Sequence, residues 1–274
     1  MTIFRCPVCA VPLHRTDTTY HCDHGHNFDI ARQGYVNLLL AHQRRSNQAG
    51  DSRTMVEQRR AFLSRGYYTP LTTALIESLQ AITTPPQATL LDLGCGEGYY
   101  LATIAQTLGD AWHYYGIDIS KAAIKLAARR TPALALAVAN AHYLPVQDHS
   151  ADVVLIVFAP YNAEELARIC KPTTRVVLVT PDRGHLHELR AHLYDDVRPY
   201  SDDRHQALAQ YFARQQVVQV TAQITLTTRD DIQALLQMTP FYWQSPADRQ
   251  AALLQHDTLD LTLSFAISHY QLLS

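Results

Sequence analysis

The sequence has no run that approaches about eighteen apolar residues, so we expect no helix that spans a membrane. The opening residues, MTIFRCPVC, lack the charged segment and the long apolar stretch of a secretory signal peptide. A formal charge of −2 argues against a protein whose whole surface is basic, as in general nucleic-acid binders. With 274 residues, 47% of them hydrophobic, the chain can form one large domain or a domain with a smaller one. We expect a cytoplasmic protein.

Cysteine is also scarce, with five in the chain, and three of these lie in the first tenth of the sequence. An odd number clustered in this way is a poor disulfide framework and favours a metal site. Cys6 and Cys9 are separated by two residues, and Cys22 and His26 by three, a pairing typical of tetrahedral zinc. Four protein ligands leave no open position for water. The metal would therefore be structural and would let a small segment fold.

Other histidines in this segment leave the fourth ligand open. His24 could take the place of His26, and His14 or His21 could also ligate. The three-residue spacing after Cys22 favours His26. The simpler alternative is a set of buried thiols beside surface histidines, with no metal. Between the two ligand pairs, TTYH predicts a small hairpin.

From residue 88 onward, short apolar runs alternate with helical stretches. ATLLDLGCGEGYY predicts a strand, a glycine turn and a helix, and HYYGIDIS a second strand before the helix KAAIKLAARR. Three further strand candidates follow: LALAVANA, DVVLIVFAP and RVVLVTP. Near-continuous Val, Ile and Leu between helices is typical of buried parallel strands, so the fold class is α/β.

The end of the chain has a different pattern. LDLTLSFAISHY alternates strictly between apolar and polar residues, which predicts an antiparallel strand near a sheet edge. QVVQVTAQITLT, residues 216–227, is its candidate partner. The intervening TRDDIQALLQMT predicts a helix capped by Thr228, with Asp231 three residues later.

A glycine-rich loop separates the first predicted strand from its helix and contains Gly94, Gly96 and Gly98. Without a Cβ, these residues let the backbone approach a bound group. Asp92 precedes the loop, and Asp118 closes the next strand, where a carboxylate can accept both ribose hydroxyls. The third glycine comes one position earlier than in dinucleotide-binding loops, and Glu97 is unfavourable beside a pyrophosphate. A ligand with a ribose, a cationic centre and no phosphate fits better. We therefore predict S-adenosylmethionine, bound by both acids and all three glycines.

These segments resemble a known family. LLDLGCGEGYY, GIDIS and LARICKPTTRVVLVTP look like the class I, Rossmann-like methyltransferase fold, with its seven-stranded, mostly parallel sheet. With CPVC…CDHGHNFDIARQGYVNLL, GDSRTMVEQRRAFLSRGYY and LLQMTPFYW, the whole chain resembles the large-subunit ribosomal RNA guanine-N1 methyltransferases, the RlmA or RrmA family. The resemblance implies a zinc-ribbon or knuckle module for RNA recognition at 1–35 and a methyltransferase domain at 36–274, with 36–70 as a basic helical connector. It also implies a homodimer whose cleft receives a hairpin of 23S ribosomal RNA.

The resemblance also implies roles for individual residues. The zinc ligands would be the same four residues named above. Donor contacts would come from Tyr68, from the loop at Gly96 and Glu97, and from His185, with Asp118 on the ribose. Asn140 and Ala141 would lie near the adenine. Tyr67 is the competing choice for Tyr68, and the sequence PDRGH around His185 departs slightly from the family pattern. KPTT replaces a glycine-rich turn, a difference that we expect to be structural only.

The implied reaction is methyl transfer from S-adenosylmethionine to N1 of a guanine in folded RNA. N1 carries a proton that must leave, so a nearby carboxylate or histidine would serve as base, and Asp182 and His185 are the candidates. A local positive face would bind the RNA backbone, although such a face is often only solvated. Arg53 and Arg60 share one helix side within it and could follow phosphates. The arginines of this face are at positions 32, 44, 45, 53, 59, 60 and 65.

Two other functions fit parts of the sequence. A methyltransferase for a small molecule, with a purely structural zinc segment, would explain the glycine loop but would not need the arginines. A zinc RNA-binding protein without activity is disfavoured because Asp92, the glycine loop and Asp118 are all intact.

Overall fold

The computed structural model describes residues 2–43, 52–130, 133–198, 200 and 203–273. Within these ranges, no helix combines the length and the apolar character needed to cross a bilayer.

The N-terminal segment forms a small antiparallel sheet of short strands: β1 (His14–Arg15), β2 (Thr19–His21) and β3 (Asn27–Asp29). The pairing of β1 with β2 is the hairpin that TTYH predicts. The buried ring of Phe4 packs edge-on against Tyr20 of β2 and against Tyr115, with ring centroids 5.8 and 5.4 Å apart. The segment therefore shares the apolar core of the larger domain.

The main sheet is made of β4 (Tyr35–Asn37), β5 (Ala88–Leu93), β6 (Trp112–Asp118), β7 (Leu134–Val138), β8 (Ala151–Val157), β9 (Cys170–Pro181), β10 (Phe212–Leu226) and β11 (Leu259–Leu272). In the described part of the chain these eight strands have the order β10-β11-β9-β8-β5-β6-β7-β4. Strands β4 to β9 are parallel, whereas β11 is antiparallel to β9 and to β10. Every residue of β5 and β8 is buried, which explains their unbroken apolar runs.

The helices are α1 (Arg53–Ser64), α2 (Thr69–Gln80), α3 (Tyr99–Leu108), α4 (Lys121–Ala127), α5 (Ala163–Ile169), α6 (His187–Leu193), α7 (Asp203–Leu208), α8 (Arg229–Met238), α9 (Phe241–Gln244) and α10 (Ala247–Leu253). Short 3₁₀ helices cover Ala41–Gln43 and Gly109–Ala111. The hydroxyl of Thr228 accepts a hydrogen bond from the backbone N–H of Asp231 at 3.2 Å, which confirms the predicted cap of α8.

The predicted α/β class, the parallel strands and the antiparallel pair at the end of the chain are confirmed. The sheet has one strand more than the seven predicted. The additional strand is β4, whose Val36 pairs with Ala137 of β7. It has three residues, too few to show a periodic pattern, and the predicted boundary between residues 35 and 36 falls inside it. The division into two domains and a connector stays a prediction. Arg44 and Arg45 of the predicted basic face lie outside the described residues.

Candidate functional site

The four predicted zinc ligands lie together at the base of the small N-terminal sheet. Their ligand atoms, three Sγ and one imidazole nitrogen, all fall within 4.8 Å of one another. The individual separations are 3.7 Å for Cys6 Sγ to His26 Nδ1, 3.5 Å for Cys9 Sγ to His26 Nδ1, 3.4 Å for Cys22 Sγ to His26 Nδ1 and 3.7 Å for Cys9 Sγ to Cys22 Sγ. Zinc–sulfur bonds of about 2.3 Å in a tetrahedron place ligand atoms about 3.8 Å apart, and the shorter zinc–nitrogen bond reduces this slightly. The cluster therefore has the size and donor set of a structural zinc site.

Tight turns bring the ligands together. The backbone N–H of Ala10 donates to the carbonyl of Cys6 at 2.8 Å, and the N–H of Gly25 donates to the carbonyl of Cys22 at 2.9 Å. Gly25 has a φ of +82°, the left-handed conformation that favours glycine in such a turn. His14, an alternative ligand, instead contacts the carboxylate of Asp23 with its Nε2 at 3.3 Å.

A cavity of about 700 Å³ opens where the parallel strands end at their carboxyl edge. In an open α/β sheet this edge is where ligands bind, because the loops after neighbouring strands converge there. Of the predicted donor-site residues, nine line the cavity: Tyr68, Asp92, Gly94, Gly96, Glu97, Asp118, Asn140, Ala141 and His185. Gly98 does not line it. Gly98 instead caps α3 with a φ of +80°, packed closely against Ala127 of α4.

Asp118 at the end of β6 fixes the glycine loop. One carboxylate oxygen accepts from the backbone N–H of Gly96 at 2.9 Å, and the other accepts from the N–H of Ser120 at 2.7 Å. Ser120 caps α4 with its own hydroxyl, which accepts from the backbone N–H of Ala123 at 3.3 Å. Since a carboxylate oxygen can accept more than one hydrogen bond, Asp118 can hold the loop and still face a ribose.

Two buried acids of the cavity lining each have an oxygen without a hydrogen-bond partner among the described residues. Asp92 Oδ1 and Glu97 Oε1 have no hydrogen-bond partner among the described residues. Burial, aided by the negative charge of Asp118, raises the pKa of Asp92 to about 8. Burial also raises the pKa of Glu97, although the guanidinium of Arg130, whose Nε donates to Glu97 Oε2 at 2.7 Å, opposes this. Buried carboxylates without enough partners favour a cationic ligand, so the lining fits the cationic end of S-adenosylmethionine.

Asn140 connects the cavity to the segment that follows the zinc module. Its side-chain carbonyl accepts from the backbone N–H of His142 at 2.9 Å, and its amide nitrogen donates to the carbonyl of Gln43 at 3.1 Å. Asn140 and Ala141 therefore form a fixed edge of the cavity after β7, the place expected for the adenine.

Tyr68 and His185 form a buried pair at another wall. The backbone N–H of Ser264 donates to His185 Nδ1 at 3.3 Å, so the proton of the neutral ring is on Nε2, which faces the Tyr68 hydroxyl at 3.4 Å. Burial, with the nearby Arg190 cation, lowers the pKa of His185 to about 3. A group with so low a pKa is a weak proton acceptor near neutral pH. The geometry favours a positioning role toward Tyr68, and the use of His185 as a base stays a prediction.

The structure does not bring Asp182 to the cavity. Asp182 follows β9 but turns toward β10, where its Oδ2 accepts from the side-chain amide of Gln219 at 3.4 Å. A position after a strand end does not fix the direction of a side chain, and Asp182 is not part of the cavity lining. Its role as a base stays a prediction that this geometry does not favour.

Several lining residues were not expected from the sequence. Arg59 of α1 lines the cavity and donates through Nη2 to the carbonyl of Met238 at 3.2 Å. Its position four residues before the buried Leu63 was a usable signal, because residues i and i+4 share a helix face. Tyr200 and Phe241 also line the cavity; Phe241 begins the four-residue helix α9, and neither residue lies in a segment long enough to show a periodic pattern. Phe158, directly after β8, lines it with a φ of +56°, a strained conformation for a bulky residue.

Three features define a class I S-adenosylmethionine-dependent methyltransferase with an attached zinc module: the order of the strands in the sheet, the glycine loop after β5 and the acidic cavity. A family model described as "RlmA, N-terminal" matches residues 4–47, and one described as "Methyltransferase domain" matches residues 90–178.

Comparison with known proteins identifies the family within this class. A 23S rRNA (guanine(748)-N(1))-methyltransferase from Streptomyces fradiae is 42% identical over 187 residues, covering 68% of this chain and 65% of that relative. A relative from Micromonospora griseorubida, named for 23S rRNA guanine-N1 methylation, is 33% identical over 96% of this chain and 94% of its own length. The chain belongs to the family of 23S rRNA guanine-N1 methyltransferases. Among solved structures, a SAM-dependent methyltransferase from Aquifex aeolicus has a TM-score of 0.51 at 14% identity, over 81% of this chain and 100% of that one, a likeness in fold.

Proposed function

We propose that this protein transfers a methyl group from S-adenosylmethionine to N1 of one guanine in 23S ribosomal RNA. The observation that carries the proposal is the match, over 96% of the chain, to a relative named for this reaction. The zinc cluster and the acidic cavity within one core support it, because a donor site alone would fit many substrates.

Bound S-adenosylmethionine would supply an already activated methyl group. The work of this chain is then to align the guanine with it and to exclude water. Asp118 would hold the ribose, Asn140 and Ala141 would border the adenine, and Asp92 would face the cationic end. The hydrogen bond from His185 would fix the hydroxyl of Tyr68 beside the reacting centre.

The proton on guanine N1 must leave before or during transfer. We propose a base on the cavity wall. Glu97 is the candidate, because its Oε1 has no partner among the described residues, whereas Asp92 is assigned to the cationic end of the donor and Asp182 does not line the cavity. A guanine in a hairpin loop is already partly unstacked, which lowers the cost of exposing its Watson–Crick edge. A loop guanine is therefore the acceptor that we propose.

RNA binding would use the zinc module and α1. On α1, Arg53 and Arg60 are both exposed, and Arg60 forms no ion pair within the described ranges. Arg65 is paired with Asp231 and is less available to a phosphate. The family resemblance further supports a homodimer acting in the cytoplasm. Light scattering of the purified chain tests the dimer, since a monomer at all concentrations would refute it.

Transfer of tritium from labelled S-adenosylmethionine to unmodified 23S ribosomal RNA tests the function. We expect label in N1-methylguanosine after the product nucleosides are separated. The activity should fall steeply with salt, because phosphate contacts release counterions. Tight donor binding with no label on RNA would refute the proposal and would favour a small-molecule acceptor, the second function that fits the sequence.

A further inference from the structure

The segment Pro240–Trp243, PFYW, contributes two residues, Pro240 and Phe241, to the lining of the cavity. Phe241 lines the cavity, Tyr242 packs on the core, and Trp243 on the outside is 64% exposed. Short helix α9 therefore places one aromatic ring in the lining of the cavity and another on the protein surface. Neither ring belongs to the residues after β5, β6 and β7 that are predicted to bind S-adenosylmethionine.

A buried cation packs against aromatic residues of the cavity lining. Arg190 of α6 is 7% exposed, its Nη1 has no hydrogen-bond partner, and it forms no ion pair with any residue that the structure describes. Its guanidinium carbon lies 4.6 Å from the ring centroid of Tyr200 and 6.0 Å from that of Phe241. Its Nη2 donates to the carbonyl of Arg198.

Arg190 has no counter-charge among the residues that the structure describes, and contact with aromatic faces offsets only part of the cost of burying its charge. The burial of Arg190 is explained if its guanidinium holds two aromatic rings in the positions that a ligand requires. Tyr200 and Phe241 both line the cavity and both lie against Arg190. The guanidinium therefore fixes two walls of the same space.

We propose that Phe241 and Tyr200 form the slot for the target guanine, with Arg190 as their positioning residue, and that Trp243 stacks on a neighbouring nucleotide. This inference rests on the proposed function. Aromatic side chains bind unstacked bases through their faces, an effect of about 5- to 150-fold in affinity per base. An unstacked base, such as a guanine in a loop, therefore suits the slot.

The surroundings of Trp243 support an RNA partner. The indole Nε1 of Trp243 contacts Met55 Sδ of α1 at 3.2 Å. Arg59 comes four residues after Met55, on the same side of α1, and lines the cavity, whereas the exposed Arg53 and Arg60 lie on another side of the helix. An aromatic surface and a guanidinium group on one side of a helix match single-stranded RNA, which offers bases and phosphates together.

The test compares five variants of the whole chain with wild type on unmodified 23S ribosomal RNA. Phe241→Leu should lower kcat/KM for RNA by about 5- to 150-fold while S-adenosylmethionine binding, measured by calorimetry, stays within about twofold. Phe241→Tyr keeps the ring and should restore activity. Trp243→Leu should raise KM for RNA with kcat unchanged. Val217→Ala, an exposed apolar side chain on β10, is the matched control and should change neither.

Arg190→Lys keeps the charge but loses the planar face, so we expect a lower kcat with donor binding preserved. If Phe241→Leu does not fold, Trp243→Leu and Arg190→Lys decide the matter. Full RNA activity in Phe241→Leu, or an equal loss of donor affinity, would overturn the guanine slot. Absence of label on 23S RNA with the wild type would instead refute the proposed function, so the two failures are distinguishable.

Discussion

Two glycines of the donor loop give a sharp test of the structure. Gly94 and Gly96 both have positive φ values, +77° and +57°. A Cβ at Gly94 would lie 2.2 Å from the Cβ of Ala159, whereas a Cβ at Gly96 would meet nothing within 4 Å. Alanine at either position costs about 1–2 kcal/mol for the left-handed backbone. At Gly94 the forced shift of the loop adds about 1–3 kcal/mol.

We therefore expect Gly94→Ala to lower the free energy of unfolding by about 2–5 kcal/mol and Gly96→Ala by about 1–2 kcal/mol. Thermal and urea denaturation, followed by circular dichroism, measures both. Gly96 faces the cavity, so Gly96→Ala should weaken donor binding more than its small stability loss suggests. Equal destabilisation by the two substitutions, or a Gly94→Ala protein as stable as wild type, would refute this reasoning.

Three further predictions follow from buried charge and from the metal. Arg130→Met leaves the buried carboxylate of Glu97 without its cation and should destabilise the fold by about 3–5 kcal/mol, whereas the double variant with Glu97→Gln should regain stability in denaturation curves; equal stability of the single variant would contradict the ion pair. Because the pKa of Asp92 is raised to about 8, the affinity for S-adenosylmethionine should increase with pH up to about 8. The free energy of unfolding of the donor-free protein should fall as the pH rises from about 4 to 8. Both trends should be weaker in Asp92→Asn, and identical pH profiles of the two proteins in calorimetry would contradict this prediction. Chelation or Cys22→Ser should remove one zinc ion per chain, which mass spectrometry measures. Either change should abolish RNA methylation while the binding of S-adenosylmethionine is retained. Methylation at the full rate without metal would show that the module is dispensable.

The parallel sheet could be predicted because buried strands leave a strong record in sequence. Unbroken Val, Ile and Leu runs marked β8 and β9, and strict alternation marked β11. The strand β4 left no such record, since three residues pair with β7 only through tertiary contacts. The zinc segment was expected to depend on metal alone, yet Phe4 also anchors it to the sheet.

The site was predictable only where a ligand requires a particular residue at a particular strand end. Asp118 and the glycine loop met that condition. Phe241 and Tyr200 come from segments without periodicity, and only the fold brings them to one wall. Asp182 shows the converse: its place after β9 was right, but its side chain turns toward β10.

Mapping the position of the transferred methyl group on the RNA tests the central claim most directly. Unmodified 23S ribosomal RNA is incubated with the protein and S-adenosylmethionine and then copied by reverse transcriptase, which stops at a base methylated on its Watson–Crick edge. We predict a new stop at one guanine, which disappears when Asp118→Ala replaces the wild type. A methylated RNA without any stop, or label in a nucleoside other than N1-methylguanosine, would contradict the account.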